Sequence, residues 1–466
     1  MNREEFRDAL RKGLGRAVQH VRNSSPEVVR DDLTHACTHF LGLNLQEELG
    51  SRATWLFSMI EATGEPNFYR KKVIEALEQM PDNPDDTETF NELYSLLTEF
   101  AARSDTESLA VMRRRFETAN VLYEPHFGFY NLLRIEEIDA LIRLLCREWK
   151  RIRDDETLGA FGDWEIEYAE KELGKEAVQN ALEKESLVNE SVRLCLERLR
   201  REKTEILARQ AEQEKSKKTL PQLSELIDVL NENWPQETDW TDDTFRDAFS
   251  QRRNLFWHSG RLYAKPTPEE LEFAFQQLLK TIDPGRQLCL LAVFAKETMP
   301  RLEPRLLSLL DAPLYLIRLG AEQAFSRMTD PQVRTKGLEL VAKASDFNDW
   351  YFGIGLLEKN YRPGDELLLQ RTLELIPADT DVHNLHAIVM SLLDLIDANA
   401  EFSFELILLW AYENTPCPYC RYRCVEQMIQ RNITPKNLLE ECFDDLYEST
   451  RELAKNVKNK ITPTVA

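Results

Sequence analysis

Helix-start signals recur at a nearly constant interval in the second half of the chain. They occur at Leu314, Asp349, Val382 and Pro416, which are 35, 33 and 34 residues apart. Each interval holds two stretches of helically spaced apolar residues, separated by a short polar break. One such pair of helices cannot bury its apolar side alone, so neighbouring pairs must stack on one another. The chain is therefore predicted to form an array of helix pairs.

The polar breaks share a common chemistry. In "TDPQVRTKGLELV", Asp330 is predicted to cap the helix and Pro331 to take the first helical position, where its missing N–H costs nothing. Val333 is then predicted to face the core, and Arg334 to reach back toward the preceding turn. Variants of this start occur at Ile282, Asp311 and Thr415, with a degenerate final one at Tyr447.

This Asp-Pro-x-Val-Arg start, with two helices per unit, resembles the HEAT repeats of armadillo-like α-solenoid proteins from about Pro266 to Lys455. The resemblance implies an all-α fold, a right-handed superhelix of HEAT-like antiparallel helix pairs. Earlier segments such as "GSRATWLFSMIEATGEPNFYRKKVIEAL" are similar to a bacterial HEAT-like family of unknown function. The Asp-Pro start is missing there, so the repeat boundaries before residue 130 stay open.

The chain is predicted to contain three regions. Residues 1–185 form an N-terminal helical-repeat region, and residues 266–466 form C-terminal HEAT-like repeats with a terminal capping helix. Residues 186–265 lie between them as a charged helix followed by an irregular aromatic joint. The joint is rich in turn-forming residues, and its aromatic residues are not spaced as a repeat face: Trp234, Trp240, Trp257 and Tyr263.

Charge and composition limit the possible partners and locations. A formal charge of −22 repels nucleic acid and anionic lipid unless basic residues gather on one face, and such gathering is only local here. The longest apolar runs fall far short of the roughly 20 residues that a bilayer crossing needs. Eight cysteines in 466 residues, without a charged-then-apolar leader, indicate free thiols in a reducing compartment. The predicted location is the cytoplasm.

A glutaredoxin-like motif lies near the end of the chain, in "TPCPYCRYRCVEQMI". A glutaredoxin fold needs a strand before Cys417, and more strands after Cys420. Only 46 residues follow Cys420, and they have helical patterns throughout. The motif therefore does not mark a glutaredoxin domain.

Three interpretations of these cysteines remain. A zinc site could use Cys417, Cys420, Cys424 and Cys442, provided that the neighbouring prolines hold Cys417 in a bent knuckle before the helix. A thiol at a helix start beside two arginines could instead have a lowered pKa and react. The third interpretation, which we favour, is packing, because on a helix the first three cysteines and Met428 fall within ~80° of arc.

Aromatic and basic residues supply the candidate binding positions. Trp350, Tyr351 and Phe352 are consecutive at a helix start, so they cannot all face inward, and one exposed ring could anchor a partner. The candidate binding residues are Trp350, Tyr351, Arg421 and Arg423. His386 shares a helix face with Met390 and Leu393, and is predicted to pack with a hydrogen bond to a neighbouring repeat.

The sequence lacks phosphate-binding loops, dinucleotide-binding glycine patterns, the zinc-protease motif and the nucleophile-elbow motif. The resulting hypothesis is a non-catalytic scaffold without a cofactor. Its solenoid surface would bind another macromolecule, in the first place a protein with basic or mixed charge. Two alternatives stay open: a thiol- or zinc-dependent activity at Cys417 and Cys420, and a HEAT-type nucleic-acid-binding or base-repair protein.

Overall fold

A computed structural model describes residues 1–42, 51–81, 86–118, 128–154, 164–215, 222–224, 227, 240–252, 265–344, 346–377 and 379–461. Their regular secondary structure is helical, without a strand, which confirms the predicted all-α class. None of the helices in these ranges has the length and apolar character that would let it cross a membrane. The predicted aromatic joint falls mostly outside the described residues.

The chain divides into two compact units. The first contains residues 1–217, 417–419 and 435–466, and the second contains residues 218–416 and 420–434. The described helices of the N-terminal part of the first unit are α1 (Arg3–Lys12), α2 (Gly15–Asn23), α3 (Pro26–Thr38), α4 (Ser51–Thr63), α5 (Pro66–Gln79), α6 (Thr87–Ala101), α7 (Thr106–Thr118), α8 (Phe129–Glu136), α9 (Ile138–Asp154), α10 (Trp164–Leu173), α11 (Lys175–Ser186) and α12 (Glu190–Lys215).

The second unit continues the succession of helices. They are α13 (Asp242–Arg252), α14 (Pro268–Lys280), α15 (Pro284–Phe294), α16 (Pro304–Leu307), α17 (Tyr315–Phe325), α18 (Pro331–Lys343), α19 (Phe347–Leu357), α20 (Asp365–Leu373), α21 (Val382–Ala398), α22 (Glu405–Asn414) and, from Cys420 onward, α23 (Pro418–Gln430). Helices α15, α17, α19 and α21 pack in sequence, each against the next. These four helices form one layer of the unit, here called the inner layer.

The predicted helix starts agree with the structure. Asp283 and Asp330 cap α15 and α18 through their side chains, and each is followed by proline in the first turn. Val333 is fully buried, as predicted. The four recurring starts lie within two residues of the first residues of α17, α19, α21 and α23. Local capping chemistry therefore positions α15 and α18.

The prediction for Arg334 was wrong in direction. Arg334 pairs with Asp365 at the start of α20, the following helix of its layer, and not with the preceding turn. The first unit repeats this arrangement without the Asp-Pro start. Arg30 of α3 binds Glu65 at 2.7 Å, and Arg70 of α5 binds Asp105 at 2.5 Å. The recurring link is thus an arginine in the first turns of one helix that binds an acidic residue at the start of the second helix after it in the chain.

A second recurring link connects helix ends in the second unit. At the end of each of α17, α19, α21 and α23, a polar side chain donates a hydrogen bond to a carbonyl at the end of the preceding inner-layer helix. The bonds run from Arg327 to Ala295 (2.6 Å), from Asn360 to Met328 (2.8 Å), from Asn399 to Glu358 (2.8 Å) and from Arg431 to Ile396 (3.1 Å). The last carbonyls of a helix lack partners within it, so this ladder satisfies them and ties successive pairs together.

The first unit joins residues from opposite ends of the sequence. Helices α24 (Lys436–Cys442) and α25 (Glu448–Ile461) belong to it, and α24 packs against α2. Arg16 binds Glu441 at 3.1 Å, and Arg22 binds Asp444 at 2.8 Å. The backbone N–H of Leu446 donates to the carbonyl of Gly13 at 3.0 Å. The terminal helices therefore complete the N-terminal unit.

Gly353 allows α18 and α19 to approach closely. A Cβ atom there would lie 2.7 Å from Cγ2 of Val341 and 3.0 Å from the carbonyl oxygen of Gly337. We expect Gly353→Ala to lower the free energy of unfolding by about 1–2 kcal/mol, because the overlap outweighs the better helix propensity of alanine. Urea denaturation followed by circular dichroism measures the change.

Gly355, two residues later in the same helix, is the matched control. A Cβ atom there would meet the carboxylate end of the Glu322 side chain and not backbone. Gly355→Ala should therefore leave stability unchanged or raise it by up to about 1 kcal/mol. Equal losses in both variants would contradict the packing role of Gly353.

Candidate functional site

The cysteine motif lies between helices. Helix α22 precedes Cys417, where a glutaredoxin would have a strand, so the exclusion of that fold is confirmed. Cys417, Cys420, Cys424 and Met428 are all at most 1% exposed. This burial agrees with the packing interpretation, and it leaves little thiol surface for a reagent in solution.

His386 lies close to this motif. Its Nδ1 is 3.6 Å from Sγ of Cys420, which agrees with the predicted contact between a packed histidine and a neighbouring helix pair. Within the second unit, His386 and Cys420 offer an imidazole and a thiol, which are ligands that suit zinc. Cys424 and Cys442 are buried as well. The zinc site at Cys417, Cys420, Cys424 and Cys442 stays a prediction.

The three consecutive aromatic residues at the start of α19 differ in exposure, because neighbouring positions on a helix face different directions. Trp350 is 5% exposed and Phe352 is 1% exposed, so both belong to the core. Tyr351 is half-buried and stacks on Phe347, with ring centroids 5.6 Å apart. Of the two aromatic candidates for binding, Tyr351 is therefore the one that reaches the surface.

The two candidate arginines also differ. Arg421 is fully buried, so it lies too deep to contact a partner directly. Arg423 is partly exposed and forms ion pairs with Asp394 at 3.3 Å and Asp397 at 2.6 Å. These carboxylates raise the pKa of Arg423 against the effect of its burial. Arg423 therefore marks an acidic surface.

Acidic side chains recur on successive inner-layer helices. Glu322 lies on α17, Glu358 directly follows α19, and Asp394 and Asp397 lie on α21. Asp394 and Asp397 are exposed, and Glu358 is half-buried. We call these four residues the acidic row. Burial is the main cause of the raised pKa of both Glu322 and Glu358, and the charges add to it: Glu358 acts on Glu322, and Asp394 acts on Glu358.

Glu322 is the most unusual member of the row. It is 6% exposed, and no residue in the described ranges donates a hydrogen bond to its carboxylate or forms an ion pair with it. Its Oε1 lies over the backbone of Gly355 on α19, in space that a Cβ atom at that position would fill. Burial, and then the charge of Glu358, raise the pKa of Glu322 from 4.5 to about 8.

Two tyrosines are close enough to Glu322 for its charge to act on them. Tyr315 is on the same helix, and Tyr351 is one turn before Gly355 on α19. Burial is the main cause of the raised pKa of both tyrosines, and the charge of Glu322 raises the pKa of each further. The pKa of Tyr351 reaches about 12. The surface where α17 packs against α19, here called the groove between α17 and α19, thus combines a buried carboxylate with partly exposed aromatic rings.

Glu322 is not among the residues that the sequence pattern marks as candidates. In "YLIRLGAEQAF" it lies four residues after Arg318, which is the spacing of an ordinary surface ion pair on a helix. The usable signal was the pair Gly353 and Gly355 inside a predicted helix, since helical glycines there leave room for something close by. Only the packing of α17 on α19 shows that a carboxylate takes that room.

A cavity of about 450 Å³ in the first unit is a weaker candidate for a binding site than the surface around Glu322. Three arginines line it, together with Trp55, Asp444 and other residues. Arg22 binds Asp444 at 2.8 Å and Arg134 binds Glu99 at 2.7 Å, while Arg451 donates to two backbone carbonyls. Each arginine thus has a partner within the protein.

No family model, no curated protein and no solved structure matches this chain.

Proposed function

We propose that this protein is a non-catalytic binding scaffold, and that the acidic row of its second unit engages a basic segment of a partner protein. The supporting observation is that acidic side chains recur on three successive helix positions of one layer, at Glu322, Glu358, Asp394 and Asp397. A periodic row of like charge suits an extended segment of opposite charge. The overall charge of −22 favours the same kind of partner.

The helical framework also supports this proposal. The arginine links and the ladder of helix-end hydrogen bonds hold neighbouring helices in place before any partner arrives. A preformed surface limits the ordering cost of association. Tyr351 adds a partly exposed aromatic ring beside the row, a residue type that is enriched at protein interfaces.

Affinity capture with three baits tests the proposal. The wild-type chain should recover a stoichiometric protein partner from native lysate, and the double variant Glu358→Lys/Asp394→Lys should recover at least tenfold less of it. The control is Glu339→Lys/Glu374→Lys, which changes two exposed glutamates of the same unit outside the inner layer and alters net charge equally. The control should retain the partner.

Two outcomes would refute the proposal. One is the absence of any stoichiometric partner in the wild-type capture. The other is an equal loss of the partner in both double variants, because that would show a response to net charge and not to the acidic row.

A further inference from the structure

We infer that the groove between α17 and α19, around Glu322, binds a primary ammonium group. The inference rests on the proposed function and specifies the chemistry that the acidic row recognises. The ammonium group belongs either to a lysine side chain of the partner or to a free polyamine, and the two sources are separated experimentally below.

The geometry around Glu322 carries the inference. Glu322 as a residue is 6% exposed, and the carboxylate of so buried a residue normally has a hydrogen-bonding or charged partner inside the protein. Glu322 has neither among the described residues, and its Oε1 points across the groove to Gly355. The half-buried Tyr351 and Glu358 flank this position on α19. The carboxylate therefore lacks a donor in the described part of the protein, and a donor from outside would satisfy it.

The groove favours an organic cation over a metal ion. Among the described residues, Glu322 and Glu358 belong to no group of three side chains whose ligand atoms could share a metal ion. Partly exposed aromatic rings lie beside the carboxylate, at Tyr315 and Tyr351. Aromatic faces attract organic ammonium groups and pack against the methylene groups that carry them.

An ammonium group fits better than a guanidinium group. Arginine binds carboxylates best through two parallel hydrogen bonds to an open, planar face. Glu322 is only 6% exposed, and the backbone of Gly355 lies against one of its oxygens. The compact charge of an ammonium needs a single accessible oxygen, and the acidic side chain of Glu358 adds to its attraction.

Binding at this groove is coupled to loss of a proton. Burial and Glu358 keep the pKa of Glu322 at about 8, so the cation must displace a proton from the carboxyl group to solvent. Asp394, Lys359 and Arg327 also act on this cluster through Glu358, and Arg246 and Arg318 act on Tyr315. Below pH 8, affinity should rise about tenfold per pH unit, while a lysine ammonium stays charged.

The test uses fluorescein-labelled tetralysine amide, with binding to the full chain followed by fluorescence anisotropy between pH 6 and pH 8. We expect saturable binding that Glu322→Gln weakens at least tenfold at pH 8, with loss of the pH dependence. Gly355→Ala should weaken binding comparably, because its methyl group displaces the carboxylate while the charge remains. Exposed Glu339→Gln is the control and should bind as the wild type does.

Competition experiments distinguish a lysine side chain from a free polyamine, and an ammonium group from a guanidinium group. Displacement by tetralysine peptides at concentrations where spermidine fails supports a lysine side chain, and the reverse order supports a free polyamine. Equal binding of tetra-arginine amide, insensitive to Glu322→Gln and Gly355→Ala, would overturn the ammonium site. Unchanged affinity of tetralysine in both variants would overturn it as well.

This test and the capture experiment can fail separately. Suppose that the captured partner is lost in Glu358→Lys/Asp394→Lys but not in Glu322→Gln. This result would refute binding of an ammonium group at Glu322 and would still support the proposed scaffold function. Tetralysine binding that depends on Glu322, without any captured partner, would support the groove and refute the proposed function.

Discussion

Glu322→Gln should make the protein more stable, by about 2–4 kcal/mol at pH 8. The folded state raises the pKa of this carboxyl group from 4.5 to about 8, because burial and then Glu358 disfavour its charge. Below pH 4.5 both the folded and the unfolded chain hold the proton, so the pKa shift costs nothing. As pH rises toward 8 the unfolded chain releases its proton while the folded chain keeps it, and stability falls. Glutamine avoids this loss at every pH.

Urea denaturation at pH 5, 6.5 and 8 measures the difference between variant and wild type. The gain should be largest at pH 8 and should shrink toward pH 5. Glu339→Gln, at an exposed position on α18, should change stability by less than about 0.5 kcal/mol at each pH. A gain that does not vary with pH would mean that burial does not penalise the Glu322 charge. A cost of this kind at one residue is common where binding, and not stability, is the role of the residue.

Asn360→Ala should lower the free energy of unfolding by about 2–4 kcal/mol. Asn360 is 6% exposed, and its amide group makes three hydrogen bonds. It donates to the carbonyls of Met328 at 2.8 Å and Leu356 at 3.0 Å, and it accepts from the backbone N–H of Asp330 at 2.8 Å. Alanine leaves these backbone groups without their partner and opens a cavity between two helix pairs.

Chemical denaturation of Asn360→Ala beside Asn348→Ala checks this expectation. Asn348 lies at the start of α19, and its side chain makes no hydrogen bond to another described residue, so its loss should cost under about 0.5 kcal/mol. Asn399 holds the equivalent place one pair later, and Asn399→Ala should resemble Asn360→Ala. Similar small effects at all three positions would contradict a structural role for the ladder.

The parts of this fold that sequence could predict are those set by local chemistry. The caps at Asp283 and Asp330 and the burial of Val333 depend on a few neighbouring residues, and the structure confirms them. The direction of Arg334 could not be obtained in this way, because its partner Asp365 lies 31 residues ahead and is chosen by how helices stack. Long-range partners are therefore where sequence reasoning failed.

In the candidate site, too, features set by neighbouring residues could be predicted, and contacts between distant residues could not. The burial of Trp350 follows from a helical face, and its neighbour Tyr351 reaches the surface as one ring of the run had to. Glu322 looks like any helical surface glutamate until α19 is placed beside it with a glycine opposite. The environment that shifts its pKa is formed by two helices whose contact no sequence pattern encodes locally.

The contact between α2 and α24 has a consequence for synthesis on the ribosome. Arg16 and Glu441 are separated by 425 residues, and Trp55 donates a hydrogen bond to the carbonyl of Asp444, 389 residues away. A nascent chain that has released its first helices cannot complete these contacts until Glu441 and Asp444 have also been translated. During that time the side of α2 that receives α24 is uncovered, and it is a natural surface for a chaperone to protect.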